Sequence, residues 1–350
     1  NGLACEAHLQ LDRATSTTKP VGKAPGLLYI SLADVDNDGL MDVLAVGPAD
    51  PGWAPRTEYV GGRFWRNKGN FRFEEMTDAV GLAPLNWVYR EWCRFFDAPI
   101  PRRRAAARID PAERRPYFAD AIFGDFDNDG WQDLVVLDRS ESMNPESRAA
   151  LFMNKGNGTF EPKPTTFSGL DGSGISGEAA DLNNDGLLDL VFAADPDNSG
   201  LPFSMARYES KVYWNTGEHG GKSNHWLRLR FSGASHAELI GARVELTAGG
   251  RKQYRWIHSN QSYKSGGALE AHFGLGKHET ADVRIVLLNG KRYEFPALAA
   301  DRSHLLDLAP RNASVLGSRA TGRPLRTPPN AGRLVPRGKG AATSVVQPSR

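Results

Sequence analysis

The sequence has few cysteines and no long apolar run. Its two cysteines, Cys5 and Cys93, permit one disulfide or two free thiols, and they exclude a zinc site built from cysteine. No stretch of about 18 apolar residues occurs, so no transmembrane segment is expected. The G-x-S-x-G and P-loop lysine patterns are also missing. These absences speak against a membrane-spanning protein and against two common classes of enzyme.

Acidic residues are absent from 310–350, a segment that holds eight Arg and Lys residues. The whole chain has a net charge of +2, so residues 1–309 carry a net charge of −6. The segment is rich in Pro, Gly, Ser and Ala and has too few apolar residues to build a core. We therefore predict a basic, disordered tail, which either is simply solvated or serves as an arm for a partner.

Three copies of one acidic nonapeptide stand out against this background. They read DVDNDGLMD at 34–42, DFDNDGWQD at 125–133 and DLNNDGLLD at 181–189. The first two copies start 91 residues apart and the last two 56 residues apart. The segment 84–118 is 35 residues long and resembles nothing between the second and third copies. Removing it makes the spacing constant, which indicates an internal repeat.

Each repeat has the pattern of a small antiparallel sheet. An apolar stretch precedes and follows each acidic loop, and an Asn-x-Gly turn comes later, at 67–69, 154–156 and 215–217. About four strands per repeat are typical of a propeller blade. From about residue 224 the acidic loops end, and alternating strands separated by Gly-rich turns predict a second β domain.

We therefore predict an all-β protein with propeller-type blades, closed or incomplete, followed by a small β-sandwich-like domain. The expected divisions are an N-terminal extension (1–26), the repeats (27–223) with the insertion (84–118), the second domain (224–309) and the tail (310–350). The insertion combines aromatic residues with arginines, as some nucleic-acid-binding segments do. We favour aromatics that pack on the blades and arginines that face solvent, and we expect no nucleic-acid partner.

The acidic loops have the ligand chemistry of calcium sites. Calcium takes six to eight oxygen ligands, and clustered carboxylates repel one another unless a cation lies between them. Positions 1, 3, 5 and 9 supply side chains, position 7 a carbonyl, and Gly at position 6 allows the turn. The predicted ligands are Asp34, Asp36, Asp38, Leu40 and Asp42; Asp125, Asp127, Asp129, Trp131 and Asp133; and Asp181, Asn183, Asp185, Leu187 and Asp189.

We predict two to three structural calcium ions. The third loop has one carboxylate fewer, because Asn183 stands at position 3, so we expect it to bind calcium more weakly than the others. An EF-hand is excluded, because position 12 is Ala45, Val136 or Phe192 instead of Glu, and the flanking segments have the pattern of strands.

The repeats resemble FG-GAP repeats, also called VCBS-type repeats, which occur in integrin α-subunit propellers and many secreted bacterial proteins. In that family the acidic loop links two strands of a blade and binds calcium. The second domain resembles the ASPIC/UnbV module through GARVELTAGGRKQYR (241–255), SYKS (262–265) and HFGLG (272–276). The usual Trp-Pro of the next strand is replaced, since this chain reads VLLNGKRYEF. The combination resembles the cartilage acidic protein group and its bacterial relatives.

This resemblance implies a secreted, periplasmic or cell-surface protein that binds protein or glycan partners and is not an enzyme. Two alternatives remain open: an accessory subunit of a larger assembly, and a carbohydrate-active enzyme on a propeller scaffold. Three repeats form an arc, whereas closed propellers have about four to eight blades. Open blade edges favour aggregation, so we expect degenerate N-terminal blades, an edge covered by the second domain or another chain, or a chain that is a fragment. We favour coverage by a neighbour.

Overall fold

The computed structural model describes 9–12, 17–20, 29–47, 61–96, 116, 118–138, 149–164, 176–193, 210–218, 220–259 and 266–309. Within these residues the chain is built almost entirely of strands, which confirms the predicted all-β fold with propeller-type blades. None of the described helices is long and apolar enough to cross a membrane. Cys5, the basic tail and the arginine-rich part of the insertion lie outside the described residues.

The first blade is a four-stranded antiparallel sheet preceded by a separate hairpin. The hairpin consists of β1 (Leu9–Asp12) and β2 (Thr17–Pro20). The blade contains β3 (Tyr29–Ala33), β4 (Asp42–Val46), β5 (Gly62–Asn67) and β6 (Phe73–Glu75), paired in that order.

The second blade repeats this order, and the described residues of the third form three strands. The second consists of β7 (Phe118–Gly124), β8 (Asp133–Asp138), β9 (Ala149–Asn154) and β10 (Phe160–Lys163). The third consists of β11 (Ser176–Ala180), β12 (Asp189–Ala193) and β13 (Lys211–Tyr213). In all three blades the acidic loop joins the first strand to the second, as predicted from the sequence.

The blades pack face to face through the alternation of side chains along β8. Leu134 and Val136 point into a core shared with the first blade, whereas Val135 and Leu137 point into a core shared with the third. All four are fully buried, which explains the continuous apolar run of this strand. The innermost strands also contact one another, because Ser31 Oγ donates to the Ala121 carbonyl across β3 and β7.

The insertion seals the core between the first two blades. A short 3-10 helix (Ala83–Asn86) begins one residue before it, and α1 (Tyr89–Phe95) lies within it. Trp92 and Phe96 are buried with their ring centroids 4.2 Å apart, and Trp92 also lies 5.1 Å from Phe118. The predicted packing of aromatics on the blades is therefore what the described part of the insertion does. Phe118, the last residue of the 84–118 segment, already begins β7.

The C-terminal domain is a sandwich of a three-stranded and a four-stranded sheet. After a 3-10 helix (Gly221–Ser223), the chain forms β14 (His225–Ser232), α2 (His236–Leu239), β15 (Arg243–Ala248) and β16 (Arg251–Trp256). It continues with β17 (Glu270–Gly276), β18 (Thr280–Val286), β19 (Arg292–Ala299) and β20 (Arg302–Asp307). The sheets are β17–β14–β20, in which β14 and β20 are parallel, and β16–β15–β18–β19. Leu227 and Phe273 meet Val244 and Ile285 in one core.

Candidate functional site: three linked acidic loops

The acidic loops have one backbone conformation, which two residue types make possible. Asn37, Asn128 and Asn184 at position 4 have φ values of 56°, 58° and 62°. The position-6 glycines that follow have φ values of 86° to 92°. Asn and Gly tolerate this left-handed region better than other residues. The sequence therefore sets the loop shape locally, before any tertiary contact forms.

The aspartates at positions 1 and 9 brace each loop through the same backbone bonds. At position 1, Oδ2 of Asp34 and of Asp125 accepts the position-6 N–H at 2.9 Å, and Asp181 does so at 3.2 Å. At position 9, Oδ1 accepts the N–H of the asparagine that begins the later Asn-x-Gly turn, at 2.8 to 2.9 Å. These aspartates therefore stabilise the loop as well as offering ligand oxygens.

Two sets of asparagines link neighbouring loops, a role that the sequence analysis missed. Asn37 Nδ2 donates to the Gly130 carbonyl of the second loop at 3.1 Å. Asn128 Nδ2 donates in the same way to the Gly186 carbonyl of the third loop at 3.0 Å. From the Asn-x-Gly turns, Asn154 donates back to the Val35 carbonyl at 2.8 Å and Asn215 to the Phe126 carbonyl at 2.7 Å. The identical Asn at position 4 of each loop was the sequence signal that could have indicated these links.

The fold brings three carboxylates together in each of the first two loops. One oxygen each from Asp34, Asp36 and Asp42 lies within 4.8 Å of the others, and the same holds for a second group. The second group is Asp125, Asp127 and Asp133. The remaining predicted ligands lie in their loops as expected, but they form no further three-residue group in the described part of the chain.

The chemistry of the first two groups fits a hard cation. Asp36 Oδ1 and Asp125 Oδ1 are buried and have no hydrogen-bond partner among the described residues. A buried, unpaired carboxylate oxygen is costly unless a cation or a proton compensates it. Oxygen-only ligands with three or four carboxylates match calcium better than zinc or magnesium. The residues present therefore fit the calcium sites that FG-GAP-type loops imply.

Without a cation, burial raises the pKa of five aspartates in these two loops. Desolvation raises the pKa of Asp34 and of Asp42 to about 7. It raises the pKa of Asp125 to about 8, with added repulsion from Asp129 and Asp127, and that of Asp127 to about 6. The pKa of Asp133 also lies well above its ordinary value because of burial. A bound cation would remove this penalty by compensating the negative charge.

A positively charged arginine side chain from β5 lies beside the carboxylates of the first loop, which the sequence analysis did not predict. Arg66 Nη1 forms an ion pair with Asp36, and Arg66 Nε lies 3.7 Å from Asp42 Oδ2. Arg66 Nη2 also donates to the Gly158 carbonyl of the second blade at 2.8 Å. The residue preceding the matching asparagine in the second blade is Met153. The first two loops therefore have similar ligands but different countercharges.

The C-terminal domain lies directly on the acidic loops. Gly274 N–H donates to Asp125 Oδ2 and Gly276 N–H to the Asn128 carbonyl, both at 2.9 Å. Arg228 Nη1 lies 3.3 Å from Asp181 Oδ2, and its Nη2 donates to Asn184 Oδ1 at 2.6 Å. The second domain thus covers the acidic loops at the ends of the blades, whereas the sequence analysis expected cover for the open blade edges.

Two cavities lie where the innermost strands meet this domain, and we call them together the inner-strand cavity. Their volumes are about 160 and 110 Å³. Both are lined by Phe123, Gln132, Glu178, Arg255 and Trp256. Burial raises the pKa of Glu178 to about 7. Glu178 Oε2 and Arg255 Nη2 are buried without a hydrogen-bond partner in the described structure.

His272 also lines the smaller of the two cavities, and one of its ring nitrogens is unpaired in the described structure. Its Nε2 lies 3.0 Å from the Gly186 carbonyl, and its buried Nδ1 has no partner among the residues described. Burial lowers the pKa of His272 to about 4, so the ring is neutral near pH 7. Because a carbonyl can only accept, Nε2 carries the proton and Nδ1 offers a lone pair.

Family profiles match part of the repeat region and most of the C-terminal domain. Residues 125–192, which include the second and third loops, match the family profile described as FG-GAP-like repeat. Residues 232–313 match the profile described as ASPIC and UnbV. The resemblance inferred from the sequence is thereby confirmed for both modules.

Two curated relatives match over about half of this chain. Cartilage acidic protein 1 of Xenopus tropicalis is 28% identical over 194 residues, which cover 54% of this chain and 28% of that protein. Cartilage acidic protein 1 of Homo sapiens is 28% identical over 202 residues, covering 56% of this chain and 29% of that protein. The matched region thus spans less than a third of the length of these relatives.

Proposed function

We propose that this chain of FG-GAP-like repeats and an ASPIC/UnbV domain is an extracellular, calcium-stabilised binding module. The observation that carries the proposal is the pair of buried carboxylate groups, at Asp34, Asp36 and Asp42 and in the second loop. Calcium there is structural: it compensates buried charge and pins the junction between the first two strands of a blade. The relatives in the cartilage acidic protein group support an extracellular location.

Thermal unfolding with and without EDTA tests this proposal. A ligand present at about 100 times its Kd adds roughly 2.7 kcal/mol per site. For a protein of this size, two such sites correspond to a loss of about 10 °C or more on calcium removal. Magnesium added in place of calcium should restore little of the loss. An unchanged melting temperature after EDTA treatment would show that the acidic loops are metal-free turns.

We propose the inner-strand cavity as the ligand site and a glycan end as its ligand. A sugar hydroxyl both donates and accepts, which suits the unpaired Arg255 Nη2 donor, His272 Nδ1 acceptor and Glu178 carboxyl group. Tyr254 and Trp256 line the same space and offer aromatic surface to a sugar ring. The volume is below the roughly 300–1,000 Å³ of pockets for drug-sized ligands, which limits the ligand to one small ring.

Saturation-transfer NMR with glucose, galactose, mannose, N-acetylglucosamine and glucuronate tests the ligand class. We expect transfer to at least one of these sugars. Glu178→Gln should weaken that sugar about tenfold, since it changes the hydrogen bonds to a buried group. Glu161→Gln is the matched control, because Glu161 is exposed on β10. Binding to none of the five, or equal binding by both variants, would refute the glycan site and leave the calcium proposal intact.

A second candidate function is that of a subunit in a larger assembly, and the exposed edge of the third blade favours it. Its last strand, β13, has no fourth strand beside it in the described structure, unlike β5 and β9. Val212 on this strand is 47% exposed, and the adjacent Trp214 is 57% exposed. Such an edge is a template for pairing with another chain. Sedimentation of the chain with Trp214→Ser as a comparison would test self-association through this edge.

A third candidate is a carbohydrate-active enzyme. Glu178 and Glu270 line the smaller part of the inner-strand cavity, and burial raises the pKa of both. Many glycosidases use two carboxyl groups beside the sugar as their catalytic groups. We nevertheless propose binding without catalysis. Hydrolysis of aryl glycosides that is lost in both Glu178→Gln and Glu270→Gln would overturn that choice.

A further inference from the structure

The C-terminal domain contacts the first aspartate, or its immediate surroundings, in every acidic loop. In the second loop Gly274 N–H donates to Asp125 Oδ2, and in the third loop Arg228 lies against Asp181 Oδ2. In the first loop Tyr254 packs on Gly39. One surface of this domain therefore lies on all three loops.

In the second loop the domain bonds to one of the two carboxylate oxygens of Asp125. Asp125 Oδ2 already accepts the Gly130 N–H and also accepts the Gly274 N–H, each at 2.9 Å. Asp125 Oδ1 remains buried and unpartnered within the described structure. Docking thus orients Asp125 and leaves its other oxygen available to a cation.

Most of the remaining contacts reach the main chain of the loops. Gly276 N–H donates to the Asn128 carbonyl at 2.9 Å, and Arg251 Nη2 to the Asp129 carbonyl at 2.5 Å. His272 Nε2 donates to the Gly186 carbonyl at 3.0 Å. These bonds depend on where the loop backbone lies, and that backbone is shaped by its carboxylates. The interface therefore detects loop conformation.

We propose that calcium binding to the acidic loops and docking of the C-terminal domain stabilise each other. The inference rests on the proposed calcium sites and extends them: the ions hold the surface on which the second domain lies. By linkage, calcium must favour docking by the same factor by which docking favours calcium binding. Calcium withdrawal must equally loosen the domain.

Electrostatics alone would make calcium binding weaken the docking of the C-terminal domain. Arg228, Arg251 and Arg255 lie near acidic loops, and calcium would neutralise the carboxylates that attract them. However, among the described residues only one arginine of this domain, Arg228, lies within 4.0 Å of a loop carboxylate, that of Asp181. The hydrogen bonds to loop backbone outnumber it, so the geometric effect dominates. The sign of the coupling is therefore a direct test.

Hydrogen exchange provides one readout. The N–H groups of Gly274 and Gly276 bond across the interface, to Asp125 and Asn128. We expect both amides to exchange about tenfold faster or more in EDTA than in calcium, in line with typical coupling strengths. The amides of Val244 and Val283, in the sandwich core, report whether the domain itself stays folded.

Gly274→Ala provides the reciprocal readout. A Cβ at this position would overlap the Asn128 backbone and Asp125 Oδ2, so the variant disturbs docking without changing charge. We expect calcium titration calorimetry to show about fivefold or greater loss of affinity. Gly290→Ala is the control, because a Cβ there meets nothing within 4 Å and the strain of an Ala at a φ of 83° stays in the exposed turn between β18 and β19. Arg251→Gln serves as a second variant should Gly274→Ala unfold the domain, and it too should bind calcium more weakly.

The outcomes separate this inference from the proposed function. Calcium binding with unchanged exchange at Gly274 and Gly276 would refute the coupling and leave the calcium sites standing. Unchanged or increased calcium affinity in both Gly274→Ala and Arg251→Gln would refute it as well, since electrostatic competition predicts an increase for the arginine variant. Failure of the native protein to bind calcium at all would overturn the proposed function and this inference together.

Discussion

The second and third acidic loops share one backbone shape but differ in burial and charge. The second lies between its two neighbours, and Asp125 is 2% exposed. The third is last in the row, and its Asn183 and Asp185 are exposed. The second loop has four carboxylates, whereas the third has three. One local motif can therefore form sites of different strength according to its place in the row.

The largest expected difference between the two loops is in their response to pH. Protons must leave before calcium binds, and burial raises the pKa of Asp125 to about 8 and of Asp127 to about 6. We expect calcium affinity at the second loop to fall about a hundredfold from pH 8 to pH 6. NMR titrations that follow the Gly130 and Gly186 amides should show a smaller fall at the third loop. Equal falls would mean that burial does not distinguish the loops.

The calcium-free protein should show the opposite trend in stability. A carboxyl group with a raised pKa binds more protons when folded than when unfolded, so its stabilising contribution is present at low pH and lost as pH rises. For Asp34, Asp42 and Asp125 the loss extends from about pH 4 to pH 7–8. Urea unfolding in EDTA should thus give a lower free energy at pH 8 than at pH 6. An increase over this range would contradict the assignment.

Exchanging the residue at position 3 separates charge from burial. Asp127→Asn gives the second loop the ligand composition of the third. We expect it to lower calcium affinity there by about tenfold to a hundredfold, the range seen when supporting groups of metal sites are removed. Calorimetry of the variant beside the native protein measures the change. An affinity equal to that of the native protein would show that Asp127 is not a ligand.

The reverse exchange, Asn183→Asp, should have a smaller effect. It restores the fourth carboxylate of the third loop, so calcium affinity at that loop should rise about fivefold. The gain is limited because position 183 is exposed, and water screens the added charge. The Gly186 amide reports this site in an NMR titration. A gain larger than the loss caused by Asp127→Asn would mean that burial weakens these sites.

The smallest expected effect concerns the first loop. Arg66→Met introduces the residue type found at the equivalent position of the second blade and removes the cation beside Asp36 and Asp42. Calcium affinity at the first loop should rise a few-fold, because an arginine on the carboxylates competes with the ion. The loss of the bond to Gly158 should cost about 1 kcal/mol of stability. Reduced calcium affinity would instead identify Arg66 as a support of the site.

Much of the fold could be read from the sequence because the repeat signals are local. The apolar runs on either side of each nonapeptide, the Asn-x-Gly turns and the constant spacing specify strands and their order. The packing of Trp92 and Phe96 followed from the rule that aromatics are buried. In the described residues the third blade has three strands, fewer than the four per repeat that the sequence predicts.

The sequence by itself determined the shape and chemistry of each acidic loop, because Asn and Gly at positions 4 and 6 and the carboxylates at 1, 3, 5 and 9 all lie within nine residues. Apart from Asn183 in the third loop, only the tertiary structure decided how the loops differ. Arg66, Arg228 and Gly274 reach their loops from distant strands, and burial depends on which neighbour covers which loop. Burial and countercharge are properties of the assembled blades and domain, so the pattern of one nonapeptide could not reveal them.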